Sequence, residues 1–283
     1  MRYLPFALIA CASLGLATAP AKAQEGCTRT SLQLAADSYV AAQRIGDTAG
    51  MNLAPGLSYL EHRTNSQLTD IAKGLLGKAL KVDFSRSVLD TQNCESFTEV
   101  IVADPAHAYV LGTRLKLAGE HVSEIETYVS DADDWLFDAA GTLRYSASEK
   151  WDPIPAERQG SRESLIAAAN AYLNLFSDPA SKVPWGSPCA RLEGGLYTGK
   201  GVPEDSCNVG VPSGVDIVDR RFVVDRELGT AVALVVFGKN KLPDAHSFRV
   251  ENGRIRYVHT ITVCRSFNCG MPLPDRLRTP GAQ

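Results

Sequence analysis

Between Arg220 and Val263 apolar and polar positions follow one another as in consecutive β-strands. A β-branched run precedes a turn, a buried apolar run follows, and two short alternating runs are joined by Glu251-Asn252-Gly253. Asn-Gly between such runs is a strong hairpin signal, because the tight turn needs positive φ at its centre. In the last run Ile255, Tyr257, His259 and Ile261 share one face, and Arg256, Val258 and Thr260 the other. A histidine and a tyrosine among aliphatics suit a pocket wall, so that face is expected to line the inside of a curved sheet.

The same grammar occurs twice. Helical spacing from Ser31 to Ile45 aligns Leu32, Ala36, Tyr39 and Val40, with Thr30 and Gln33 as a candidate capping box. From Ser164 to Phe176 it aligns Leu165, Ala169, Tyr172, Leu173 and Phe176 behind a cap at Ser161. Each helix leads to a short strand, and the two strands pair Leu60 with Leu192 and Glu61 with Glu193. The last strands, from His121 to Tyr128 and from Arg254 to Ile261, pair Glu124 with Tyr257 and Glu126 with His259. The strands before them, Ala108 to Leu117 and Ala231 to Phe237, are apolar in both copies. An amphipathic segment from Gln67 to Leu80 belongs to the first copy alone.

A helix followed by a meander of strands predicts an α+β unit, a curved antiparallel sheet wrapped on a helix. The expected division is a signal peptide at 1–23, a first unit at 24–151, a linker at 152–161, a second unit at 162–264 and a C-terminal tail at 265–283. The linker is expected where Asp152 to Gly160 has two prolines, charge and no period. The two units are expected to pack sheet against sheet, as a dimer does, within one chain.

The first residues set the compartment. Arg2, the apolar run Leu4 to Ala17 and the small-x-small Ala21-Lys22-Ala23 predict an export signal cleaved before Gln24. Leu8-Ile9-Ala10-Cys11 is the competing lipoprotein reading, for which the preceding apolar stretch is very short. A periplasmic or secreted protein with no membrane span is expected. Cleavage removes Cys11 and leaves six of the seven cysteines, an even number that argues for disulfides. Spacing suggests Cys27–Cys94, Cys189–Cys207 and Cys264–Cys269, one set among several that six cysteines allow. No Cys-x-x-Cys or close histidine pair suggests zinc. Of 29 lysines and arginines, losing Arg2 and Lys22 leaves 27 against 32 acidic residues, without a basic stripe. Nucleic acid is therefore not an expected partner.

The N-terminal helix, Tyr59-Leu-Glu61, Glu124-Ile-Glu126-Thr and the ending RRFVVDRELG…FRVENGRIRYVHTI resemble the SnoaL-like branch of the nuclear transport factor 2 (NTF2) superfamily, and a tandem secreted family of that fold. Relatives more often have asparagine where this chain has His62. The resemblance implies two NTF2-like cones around deep apolar cavities, packed as an intramolecular pseudo-dimer. It also implies a function among cofactor-free isomerases, cyclases, dehydratases, lyases and pure binding modules. A more distant likeness is to cofactor-free lyases that release formaldehyde from lignin-derived aryl dimers.

No nucleophile elbow, phosphate loop or dinucleotide fingerprint is present. The candidate chemistry is carried by titratable side chains on strands. Glu61, His259, His62 and His246 are the candidate catalytic residues, with His259 foremost. Tyr59, Arg191, Tyr257 and Glu126 are the candidate substrate-binding residues. A carboxylate among aliphatics has its pKa raised and serves as a base near neutral pH. Histidine can shuttle the proton, and tyrosine or arginine can steady an oxyanion. Each also has a plainer reading. Glu61 and Glu193, at equivalent places, suit paired structural hydrogen bonds, and Arg191 suits a structural ion pair. His246 at a strand start is expected to be half-exposed. Trp135, Trp151 and Trp185 suit a core or a cavity lining.

The expected function is a lyase or isomerase without metal or cofactor, acting on a hydrophobic aromatic small molecule. Its concrete form is retro-aldol release of formaldehyde from a lignin-derived aryl dimer. The alternative is a non-catalytic ligand-binding or scaffold protein of the cell envelope, and a homo-oligomer is a candidate assembly.

Overall fold

The computed structural model describes residues 27–64 and 66–272. The predicted signal segment and positions 273–283 of the predicted tail lie outside the described residues. The chain is α+β, with two six-stranded mixed sheets and three helices among the described residues, an arrangement consistent with two tandem units.

Helix α1 (Arg29–Ile45) precedes β1 (Leu53–Arg63), β2 (Ser66–Leu68), β3 (Phe84–Asp90), β4 (Glu95–Val102), β5 (Tyr109–Ala118) and β6 (His121–Ser130). Helix α2 (Ala139–Ser148) follows. Helix α3 (Arg162–Leu175) then leads into β7 (Trp185–Glu193), β8 (Leu196–Tyr197), β9 (Ile217–Asp225), β10 (Thr230–Phe237), β11 (Leu242–Glu251) and β12 (Arg254–Thr262). The sheet orders are β2-β1-β6-β5-β4-β3 and β8-β7-β12-β11-β10-β9, the same path taken twice. In both, the first and last long strands pair in parallel and the other neighbours are antiparallel.

The apolar stripe of α1 buries Leu32, Ala36 and Tyr39, with Ala42 beyond, and α3 buries Leu165, Ala169 and Tyr172 in the same spacing, with Leu173 beside them. Ser161 caps α3 as its sequence predicts, accepting from the Ser164 N–H. The cap of α1 lies two residues earlier than expected. Thr28 and Ser31, not Thr30 and Gln33, exchange the reciprocal bonds of a capping box, so Thr30 lies inside the helix. Helix α2 lies in a stretch for which the sequence pattern predicts no element. Asp138 starts it by accepting from the Gly141 N–H. The segment expected in the first unit alone forms β2 and two single 3₁₀ turns, which bury Leu75 and Leu76 against the inner face of the first sheet. Contrary to that expectation, the second unit has β8 and residues 198–216 at the corresponding place.

The outer faces of the two sheets meet around Val88, Phe97 and Tyr128 on one side and Val232, Leu234 and Ile261 on the other. Contacts across this seam are reciprocal. Arg29 pairs with Asp225 at 2.8 Å and Arg162 with Asp90 at 2.7 Å. The Leu89 N–H donates to Asp225, and the Val224 N–H donates to Asp90. Corresponding residues of each half thus contact one another across the seam.

Disulfides join Cys27–Cys94, Cys189–Cys207 and Cys264–Cys269, the pairing that spacing suggests. They fit an oxidising, extracytoplasmic compartment. Among the described residues no helix is long and apolar enough to cross a membrane. The first bond closes a separation of 67 residues and ties the start of α1 to the β3–β4 turn. Replacing Cys27 and Cys94 with serine is expected to cost about 2–5 kcal/mol. The same change at Cys264 and Cys269, separated by 5 residues, should cost less. Urea denaturation of the two double variants checks the order.

Candidate functional site

Strand β11 places Asp244, His246 and Phe248 at alternate positions on the face turned toward α3. With Phe176 at the C-terminal cap of α3, Phe237 on β10 and Glu193 on β7, Asp244 and His246 line a cavity of about 230 Å³. Trp135, Leu242, Thr260, Thr262 and Met271 complete much of its wall. His246, which its position predicts to be half-exposed, is only 2% exposed. The strand begins at Leu242, so His246 is well inside the ladder, paired with Thr260 on β12 and Ala233 on β10.

The polar groups here are buried without full satisfaction. Asp244 Oδ1, His246 Nδ1 and Arg191 Nε are all without a hydrogen-bond partner. His246 Nδ1 lies 3.5 Å from Asp244 Oδ2. Arg191 Nη2 lies 3.3 Å from Glu193 Oε1, and Arg191 Nη1 donates to the buried Tyr172 hydroxyl at 3.5 Å. A buried polar atom left unpaired costs about 1–3 kcal/mol, a cost normally avoided. Two of these atoms, Asp244 Oδ1 and His246 Nδ1, belong to side chains that line the cavity and form anchoring points for a guest.

Burial pushes the Asp244 carboxyl well above the carboxylate range, against the opposing effect of the Thr262 hydroxyl. Burial, aided by the charges of Arg191 and Arg220, pulls His246 down to about 3. Burial thus biases Asp244 toward its neutral, protonated form and His246 toward the free imidazole, a proton donor beside a proton acceptor.

The first unit carries different residues at the same places. Strand pairing aligns His246, Thr260 and Glu193 in one row, and Thr113, Thr127 and Glu61 in the corresponding row. Thr113 therefore stands where His246 does, Leu111 where Asp244 does, and Tyr59 where Arg191 does. Here Thr113, Thr127, Tyr59 and Glu61 are all hydrogen-bonded, and Arg63 Nη2 beside them is left without a partner. Tyr39 Oη and Thr113 Oγ1 are 2.6 Å apart, and Thr113 Oγ1 lies 3.0 Å from Thr127 Oγ1. Glu61 is fully buried and accepts from the Tyr59 hydroxyl, from Arg63 Nε and, at 2.8 Å, from the Leu75 N–H. Leu75 and Leu76 pack into this inner face, which the second unit leaves to its cavity.

The other candidate residues lie at the seam. His62, Glu126 and Tyr128 line a cleft of about 570 Å³ between the units. Arg221 grips Glu126 at 2.7 and 2.8 Å, while His62 lies 3.3 Å from it and Tyr128 donates to it at 3.0 Å. Against desolvation, which opposes it, this partnership holds the Glu126 carboxyl below the usual range.

His259, at the place equivalent to Glu126, does not face its own cone. Its face is the reverse of the one that alternation predicts. A bulge at Arg256, where Tyr257 pairs with Arg249 and Ile255 with the next residue, Val250, puts one extra residue into β12 against β11. Ile255 therefore packs toward α3 while Tyr257 and His259 turn to the seam. There His259 Nε2 meets Glu149 at 2.7 Å, and Nδ1 meets Glu99 at 3.2 Å. Arg86 bonds Glu99 at 2.6 Å and lies over the Trp151 ring, which itself stacks on Tyr257. The adjoining cavity is about 10 Å³, room for about one water and no organic molecule.

The predicted candidates thus fall into four places: Glu61 with Tyr59, His62 with Glu126, His259 with Tyr257, and His246 with Arg191. The last is the cavity. Asp244 and Tyr172 are the members that sequence reasoning left out. The Asp-x-His spacing on an alternating strand was the signal for Asp244, since period two puts both on one face. Among the described residues, no group of three or more histidine, cysteine, aspartate or glutamate side chains is placed to hold a metal.

Residues 158–262, which run from just before α3 to the end of β12, match the family described as "Domain of unknown function (DUF8021)". No curated protein and no solved structure matches the chain.

Proposed function

We propose that the protein is an acid–base isomerase or carbon–carbon lyase needing no cofactor, acting on a compact hydrophobic molecule in the cavity of its second unit. The observation that carries this reading is the pair of buried, unpartnered atoms, Asp244 Oδ1 and His246 Nδ1, in the wall of that cavity. The first unit has the apolar Leu111 and the hydrogen-bonded Thr113 at these places.

The chemistry follows from the protonation states. The free imidazole of His246 removes a proton, either from carbon next to a carbonyl or from the hydroxyl of a β-hydroxy ketone. In the second case the bond to the hydroxymethyl carbon breaks, formaldehyde leaves, and the electron pair passes into the carbonyl as an enolate. The positive charge of Arg191, felt at His246, favours the developing negative charge. The Asp244 carboxyl supplies a proton to the product, and His246 returns its own to Asp244 across the 3.5 Å gap. A cavity of roughly 150 Å³ holds a benzene ring. About 230 Å³ therefore suits one substituted ring, and a two-ring aryl dimer would extend through the mouth beside Met271.

On this reading the units are NTF2-like cones of the SnoaL-like kind, packed as an intramolecular pseudo-dimer in which one cavity is kept and the other filled. The repeated strand order and the reciprocal Arg29–Asp225 and Arg162–Asp90 pairs support it. Export to the periplasm or medium is supported by the disulfides and the signal-like first residues.

The test is incubation of the oxidised protein in D₂O with single-ring aryl ketones, β-hydroxy aryl ketones and aryl dimers, followed by proton NMR and a formaldehyde assay. Deuterium uptake or formaldehyde release above the protein-free rate is expected from at least one class. Saturable binding without either would replace the enzyme by a carrier, and no binding at all would remove the cavity reading.

A further inference from the structure

The wall of the second unit's cavity is not built by that unit alone. Trp135 belongs to the turn after β6, in the first half of the chain, yet it lines the cavity with Phe176, Phe237 and His246. The turn is fastened from the far end of the sequence. The Leu136 N–H donates to Asn268 Oδ1 at 3.0 Å, the Asn268 N–H to the Asp133 carbonyl at 2.7 Å, and the Cys264 N–H to Asp134 at 2.6 Å. The Cys264–Cys269 disulfide closes the loop bearing Asn268 and packs with Leu242, Phe237 and Trp135.

The second unit makes room for this turn. The Asp138 N–H donates to the Gly194 carbonyl. A Cβ on Gly194 would strike the Trp135 carbonyl oxygen and lie 2.7 Å from the Leu136 carbonyl carbon, and its φ of +61° also favours glycine. The equivalent residue in the first unit is His62. The replacement of a large side chain by none lets one unit seat its turn against the other.

We propose that Trp135 is a specificity-determining residue of the second-unit cavity: the first unit supplies it as a fixed indole wall that selects flat aromatic rings over saturated rings of equal size. This rests on the reading of that cavity as a small-molecule site. Phe176 and Phe237, edge to face at 5.7 Å, provide further aromatic surface in the same wall. A ring placed among them meets π faces and edges, where a cyclohexyl group gains only burial. Such aromatic contacts correspond to about 3- to 10-fold in affinity beyond area alone.

The test compares 4-hydroxyacetophenone with its saturated analogue, 4-hydroxycyclohexyl methyl ketone, by calorimetric titration of the full oxidised chain. Wild type should prefer the aryl ketone by about 3- to 10-fold, Trp135→Phe should keep most of that preference, and Trp135→Leu should erase it. Melting curves show whether each variant is folded. Because Trp135→Leu can loosen the turn, quenching of wild-type indole fluorescence by the aryl ketone, absent in Trp135→Phe, gives a second readout. An undiminished preference in Trp135→Leu, or equal quenching in Trp135→Phe, overturns the role of Trp135 and leaves the cavity reading intact. Failure of wild type to bind either ketone removes both.

Discussion

His259→Ala is expected to lower the stability of the protein by about 3–5 kcal/mol at pH 6, the usual cost of removing one partner from a buried ion pair. His259 is 3% exposed and stands between Glu99 and Glu149, whose carboxylates would be left facing each other with Arg86 as the remaining nearby cation. Burial alone would depress its pKa, but the charges of Glu149 and then Glu99 overcome this and raise it to about 9. The sign follows. A histidine raised from 6.5 to about 9 in the folded state contributes its full stabilisation below pH 6.5 and loses it as pH rises through 9. The gap between wild type and His259→Ala should therefore be widest near pH 6 and shrink toward pH 9.5. Glu99, for which desolvation is outweighed by Arg86 and His259, is held down to about 2. Its contribution is present above pH 4.5 and fades as the pH falls toward 2, so the plateau has an acid edge as well. Urea denaturation at pH 6 and 9.5 is the measurement. A gap that does not change with pH would mean that packing, not charge, makes His259 important.

The second large effect concerns turnover. On any substrate that the panel identifies, His246→Gln should reduce the rate by about 10²- to 10⁴-fold, the range that a positioned acid or base supplies. Glutamine fills similar space and cannot take the proton. Asp244→Asn should impair the same step, because the amide cannot pass a proton on. The pH profile carries more information than the rate. His246 must be the free base, so activity is lost only as pH falls toward about 3. Asp244 must stay protonated, so activity is lost on the alkaline side, at a pH well above the ordinary carboxylate range. The expected profile is a broad plateau bounded by these two losses. Wild-type turnover in both variants would exclude the pair from the reaction.

Much of the architecture was legible before the fold was known. The Leu-x-x-x-Ala-x-x-Tyr stripes of α1 and α3 and the Leu-Glu strands are periodic signals, and burial on one face enforces them locally. Pairing Glu61 with Glu193 and Glu126 with His259 required only that the two halves follow one pattern, and the sheet registers agree. The faces were less legible. Perfect alternation sends His259 into the cone, and a single bulge near Tyr257 reverses it. One extra residue leaves no mark in the apolar pattern, because Ile255 and Tyr257 are buried on either face.

The doubled helix-then-strands unit and the presence of a histidine on each of β11 and β12 were determined by the sequence itself, since each rests on spacing along the chain. The tertiary structure chose the cysteine pairing among the sets the spacing allows. Which histidine meets a cavity was decided only by tertiary structure. His246 faces open space because the 198–216 segment of the second unit lines the cavity through Gly210 and Pro212 where the first unit buries Leu75 and Leu76. His259 faces Glu99 and Glu149 because the outer faces of the two sheets meet. Protonation follows from the same placement. One histidine is stripped of neighbouring carboxylate charge and stays neutral, while the other is enclosed by two carboxylates and stays charged, a difference of environment between residues only 13 positions apart.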